Sequence, residues 1–137
     1  MINILHKRNC VFQVVYHVIW CTKYRKQVVV GKIAKYVNDL IGEICKKNGW
    51  IVKTLEIQSD HIHIFFTFSP AVSIATVVKI LKGTTARKLF LQFPELKLEL
   101  WGGHLWSPSY YVETAGNVSA KTIKHYIERS GHIGKRR

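Results

Sequence analysis

The sequence predicts an α+β fold: a ferredoxin-like βαββαβ antiparallel sheet with its helices on one face, followed by a C-terminal helix. Three observations predict it. Two segments repeat apolar residues at helical spacing, four others carry the patterns of buried or half-buried strands, and their order admits one simple topology. With right-handed crossovers, such a chain puts its first and third strands at the centre of the sheet.

The first strand reads from Val11 to Cys21. Phe12, Val14, Tyr16, Val18 and Trp20 alternate with Val11, Gln13, Val15, His17 and Ile19, and both sets are largely apolar, as in a central strand covered on both faces. A basic loop follows, Lys23 to Lys26. Ile33, Tyr36, Val37, Leu40, Ile41 and Ile44 mark the first helix; Lys46 and Lys47 suit its last turn and Gly49 its C-terminal cap. Trp50 to Ile57 and His61 to Phe68 form a hairpin through the turn Gln58-Ser59-Asp60. Ser69-Pro70 ends the third strand. The second helix carries Ile74, Val77, Val78 and Leu81 on its inner stripe, with Lys79, Lys82 and Arg87 off it as a basic outer face. Gly83 is a point where it can bend, and Phe93-Pro94 stops it. A Trp- and Gly-rich segment, Leu100 to Pro108, leads to a strand from about Ser109 to Glu113. Gly116-Asn117 reads as a flexible break. Ser119 caps a last helix over about residues 119–130, and residues 131–137 form a basic tail.

No repeat or linker divides the 137 residues, so the expectation is a single domain over 1–137. The hydrophobic fraction of 47% is that of a globular chain. Cys10, Cys21 and Cys45 are odd in number and lack CxxC spacing, which argues against a disulfide framework or a zinc knuckle. The first residues have no secretory h-region, and the longest apolar run is too short to span a bilayer. A cytoplasmic protein is expected. Lysine and arginine number 21 against 8 acids, a net charge of +13, which favours a polyanionic partner by neutralising phosphates and releasing their counterions.

The third strand carries the chemistry. Alternation puts Ile62, Ile64, Phe66 and Phe68 on one apolar face and His61, His63, Phe65 and Thr67 on the other. Histidines at i and i+2 point the same way, with Cα atoms roughly 7 Å apart, close enough for two imidazoles to share a metal. Two strand histidines on a solvated face give the same spacing. Asp60 beside them strengthens the case for metal, because a carboxylate can orient a ligand imidazole. Tyr126 borders the apolar stripe of the last helix amid Lys121, Lys124, His125 and Arg129, a place that suits a tyrosine at the edge of the core as well as a reactive one. A phenol of pKa about 10 needs such cationic surroundings, or a metal, to act as a nucleophile. Trp101, Trp106, Tyr110 and Tyr111 suit either base stacking or the core. No nucleophile elbow, P-loop or dinucleotide glycine pattern is present.

Taken together, these residues resemble the single-tyrosine HUH transposases of insertion sequences, the transposase A family. The resemblance spans roughly Val11 to Ser130. It is carried by Cys21-Thr22-Lys23-Tyr24-Arg25, by Asp60-His61-Ile62-His63, by Leu81-Lys82-Gly83 with Ala86-Arg87, and by the block from Trp101 to Tyr110. Gly116-Asn117-Val118-Ser119 and Tyr126-Ile127-Glu128 complete the set. The resemblance implies a metal-dependent enzyme that cleaves and rejoins single-stranded DNA at element ends. His61 and His63 would hold Mg²⁺ or Mn²⁺, and Tyr126 would form a 5′-phosphotyrosine link and free a 3′-OH. It also implies a homodimer that recognises DNA hairpins, with a last helix able to move about Gly116-Asn117. Lys23, Tyr24, Arg25, Lys79, Lys82 and Arg87 are the expected DNA contacts.

One position departs from the family pattern. A glutamine often follows the tyrosine by four residues as a further metal ligand, and this chain has Ser130 there. Serine lies on the correct helical face but is a short, weak ligand. Water, Asp60 or another acid would then complete the shell, or this copy is less active. The alternative is therefore a catalytically inactive nucleic-acid-binding protein derived from such an enzyme.

Overall fold

The computed structural model describes residues 5–7, 10–12, 14–100 and 103–114. Its elements are β1 (Leu5–Lys7), β2 (Cys10–Phe12), β3 (Tyr16–Cys21), a single 3-10 turn (Lys23–Arg25), α1 (Gly31–Asn48), β4 (Ile51–Ile57), β5 (His61–Thr67), α2 (Ile74–Gln92), α3 (Leu96–Glu99) and β6 (Tyr111–Thr114).

The main sheet has the order β4-β5-β3-β6, and every pairing in it is antiparallel. The first and third strands of the expected pattern, β3 and β5, lie at its centre. Val18 and Trp20 of β3 and Ile62, Ile64 and Phe66 of β5 are at most 1% exposed and belong to one core with Val37, Leu40, Ile41, Ile44, Val77, Val78, Leu81 and Leu89 of the two long helices. The stripes expected for α1 and α2 are thus the stripes they bury. Two caps fix the helix ends. Ser73 Oγ accepts from Thr76 N–H at the start of α2, and Gly49 closes α1 at φ +75°, a left-handed conformation that glycine adopts without strain.

Three details differ from the sequence expectation. The continuous strand over 11–21 is divided: β2 pairs with β1 in a separate two-stranded hairpin, and only β3 joins the main sheet. Pairing with β5 ends at Tyr16 opposite Phe66, and just before it the Val14 carbonyl accepts from the Thr67 hydroxyl at 2.6 Å rather than from a strand. An alternating apolar run does not reveal such an interruption. The second difference is a register shift in β4 between Val52 and Thr54. It lets Val52 and Leu55, three residues apart, both pack on the core. The third is the four-residue helix α3, which seats Leu96 in the core.

The last helix over 119–130, the break at Gly116-Asn117 and the tail over 131–137 lie outside the described residues. So do the side chains of Trp101, Tyr126 and Ser130.

Candidate active site

The sheet face opposite the helices carries the histidines. His61 and His63 alternate with Ile62 and Ile64 along β5, so packing of the isoleucines against α1 and α2 turns both imidazoles outward together. Register then fixes their neighbours. Cys21 lies opposite His61, Ile19 opposite His63 and His17 opposite Phe65 on β3. Glu56 of β4 lies opposite His63, and Glu113 of β6 opposite His17.

This face is not solvated: His61 is 7% exposed, His63 2% and His17 fully buried. The His61 and His63 rings stand 6.4 Å apart, centroid to centroid, tilted by 29°. Each is oriented by its own carboxylate. Asp60 Oδ1 takes the hydrogen bond from His61 Nδ1 at 2.8 Å, and Glu56 Oε2 lies 2.7 Å from His63 Nε2. The remaining nitrogens, His61 Nε2 and His63 Nδ1, are buried and have no hydrogen-bond partner among the described residues. Two buried, unpartnered imidazole nitrogens on one face, each ring steadied by a carboxylate on its other nitrogen, fit the donor set of a divalent metal. They are a partial set: among the described residues no group of three or more His, Cys, Asp or Glu side chains could hold a metal.

Burial governs the protonation of His61 and His17. Burial pushes the His61 imidazole below its ordinary value, outweighing the opposing hydrogen bond and charge of Asp60. The His61–Asp60 contact is therefore a hydrogen bond of a neutral ring near pH 7, the state in which Nε2 carries a free lone pair. Burial raises the Asp60 carboxyl, but the hydrogen bonds from His61 and Arg25 and the Arg25 charge prevail, and it ends below the usual carboxylate range. His17 is lowered by burial against the pull of Glu113. Its ring stacks on Phe65 at 4.0 Å and meets His63 edge-on at 5.5 Å.

The six expected DNA contacts divide by where their groups point. Tyr24 is 48% exposed, with Lys23 Nζ 5.3 Å from its ring centre. Lys79 and Arg87 are exposed on α2. Arg25 and Lys82 instead have internal partners. Arg25 pairs with Asp60 at 2.7 Å. Lys82 Nζ donates to the carbonyls of Ser107 (2.6 Å) and Ser109 (3.1 Å), tying the loop before β6 to α2. Of the aromatics, Trp106 belongs to the core and donates its indole N–H to Thr85 Oγ1 at 2.9 Å. Tyr110 is 38% exposed. The Tyr111 hydroxyl donates to Glu113 at 3.4 Å.

Sequence reasoning did not single out Glu56, His17 or Glu113. Their nearness to the histidine pair follows from cross-strand register, and the only signal available was the hairpin that sets Glu56 against His63.

The architecture is that of an α+β protein whose antiparallel sheet carries a carboxylate-steadied histidine pair on the face opposite its helices, and comparison with known proteins gives its family. Residues 10–130 match the family model described as "Transposase IS200 like". The ISDra2 transposase TnpA of Deinococcus radiodurans is 44% identical over 121 residues, covering 88% of this chain and 86% of that protein. The transposase for insertion sequence element IS200 of Salmonella typhimurium is 31% identical over 116 residues, covering 82% of this chain and 76% of that one. A crystal structure from Deinococcus radiodurans, put forward as a transposase, superposes with a TM-score of 0.82 at 40% identity, covering 92% of this chain and 97% of that chain. The chain belongs to the IS200-like transposase family.

Proposed function

We propose that this transposase cleaves and rejoins single-stranded DNA at the ends of an insertion sequence, with Tyr126 as nucleophile and His61 and His63 as metal ligands. The observation that carries the reading is the pair of unpartnered, buried imidazole nitrogens on one face of β5. His61 and His63 would hold Mg²⁺ or Mn²⁺, which would supply Lewis-acid polarisation of the scissile phosphate. Two protein nitrogens leave places for further ligands, and the Ser130 position, water or DNA itself would fill them.

The chain's own residues would do the rest. The Tyr126 hydroxyl loses its proton, its oxygen bonds to phosphorus, and the phosphorus–O3′ bond breaks. The products are a 5′-phosphotyrosine ester and a free 3′-OH. Attack by another 3′-OH on that ester releases Tyr126 and joins strands without ATP. Lys23, Lys79 and Arg87 would neutralise phosphates, and Tyr24 and Tyr110 would offer stacking faces to unpaired bases. The expected partner is single-stranded DNA with hairpins at the element ends, bound by a homodimer. Cytoplasmic work suits the free thiols of Cys21 and Cys45.

The test is covalent capture. Wild-type protein with Mn²⁺ and a single-stranded oligonucleotide spanning the element end should give an adduct that survives denaturation. Tyr126→Phe should abolish the adduct and retain binding. Binding without any adduct from the wild-type protein would favour the inactive DNA-binding alternative.

A further inference from the structure

We propose that Arg25 is a positioning residue for His61, acting through Asp60 rather than through DNA. This deepens the function proposed above and rests on it. The Arg25 guanidinium reaches one oxygen of Asp60 with two nitrogens, Nε at 3.0 Å and Nη2 at 2.7 Å. The other oxygen of the same carboxylate holds His61 Nδ1 at 2.8 Å. Arginine, aspartate and histidine thus form one chain, and its far end is the unpartnered His61 Nε2.

The surroundings make this chain rigid. Arg25 and Asp60 side chains are only 16% and 15% exposed, so neither swings freely into water. Tyr24 and Arg25 have φ of +57° and +56°, left-handed values that non-glycine residues adopt at a cost. Backbone bonds hold that conformation in place. Thr22 N–H donates to the Asp60 carbonyl at 2.9 Å, and Lys23 N–H to the Leu105 carbonyl at 2.9 Å. The Thr22 hydroxyl adds a bond to the Lys26 carbonyl at 2.7 Å. The loop after β3 and the turn before β5 are in this way fastened together, with the Arg25–Asp60 pair between them.

The consequence is a fixed tautomer. A carboxylate held by arginine accepts from Nδ1–H of His61 and leaves the Nε2 lone pair available. His63 has a different carboxylate, Glu56, whose side chain is 51% exposed and for which no arginine partner is found among the described residues. Arg25 therefore acts on one histidine of the pair. Lysine cannot replace it, because a point ammonium lacks the fork that fixes carboxylate orientation.

Two readouts on Arg25→Lys, Asp60→Asn and the double variant test this. Long-range ¹H–¹⁵N spectra of the metal-free protein report the His61 tautomer. The wild type should show Nδ1–H, and each variant should show a mixture or a shift to Nε2–H. Electron paramagnetic resonance of free Mn²⁺ reports metal affinity. Asp60→Asn should weaken it by about 10- to 100-fold, Arg25→Lys should weaken it in the same direction, and the double variant should be no weaker than Asp60→Asn alone. Arg25→Gln serves in place of Arg25→Lys if the latter does not fold. An unchanged tautomer and Mn²⁺ affinity in the Arg25 variant, or effects of the two substitutions that simply add, would overturn the proposal. If the wild type takes up no Mn²⁺, the metal reading falls and the tautomer comparison alone decides the role of Arg25.

Discussion

His61 and His17 are the residues whose state depends most on where they sit. Both are buried, and burial lowers both pKa values. In an unfolded chain each would titrate near about 6.5. Below that pH the unfolded chain binds protons that the folded protein resists, so stability falls as pH drops. Asp60 adds to the loss further down, because its carboxyl is held below its ordinary value and its stabilisation disappears as pH falls through the folded value. Thermal melts at pH 8 and pH 5.5 should show a lower midpoint in acid. An unchanged or higher midpoint at pH 5.5 would contradict the description of these imidazoles as buried and neutral.

At the same scale, the identity of the pair was legible and its supports were not. His61 and His63 stand two residues apart, so alternation alone shows their shared face, and Asp60 adjoins them in the chain. Glu56 and Glu113 approach that face from neighbouring strands, and spacing along the chain contains no register. Arg25 in a basic loop reads as a phosphate contact; its partner stands 35 residues further on, in the turn before β5.

The elements rest on the isoleucine and phenylalanine face of β5. Phe66 is fully buried in the central strand. Phe66→Ala should cost about 3–5 kcal/mol through lost burial and the cavity left behind. Leu98, 89% exposed on α3, has little to lose, and Leu98→Ala should stay within about 0.5 kcal/mol of the wild type. Urea denaturation of the two variants checks both, and comparable losses would mean that the core is placed wrongly. The main helices and strands were legible because each buries one periodic stripe, as Val77, Val78 and Leu81 do in α2. The β1–β2 hairpin was not, because strands of three residues are too short to show a period.

Across the whole molecule the main variable is charge. With +13 at neutral pH, the logarithm of the affinity for a single-stranded oligonucleotide should fall linearly with the logarithm of salt concentration. Lys79→Ala and Lys23→Ala should each reduce the steepness of that slope by about 0.7 if each neutralises one phosphate. Titrations at several salt concentrations measure it, and a slope that neither substitution changes would remove both lysines from the DNA surface. Among the described residues no helix is long and apolar enough to cross a membrane.

The proposed function turns on Tyr126 taking the DNA strand onto itself. The most direct measurement is mass spectrometry of the proteolysed adduct formed with Mn²⁺ and a single-stranded element end. A nucleotide linked through its 5′ phosphate to the peptide carrying Tyr126 is the expected result. A nucleotide on any other residue, or a 3′ linkage, would contradict it.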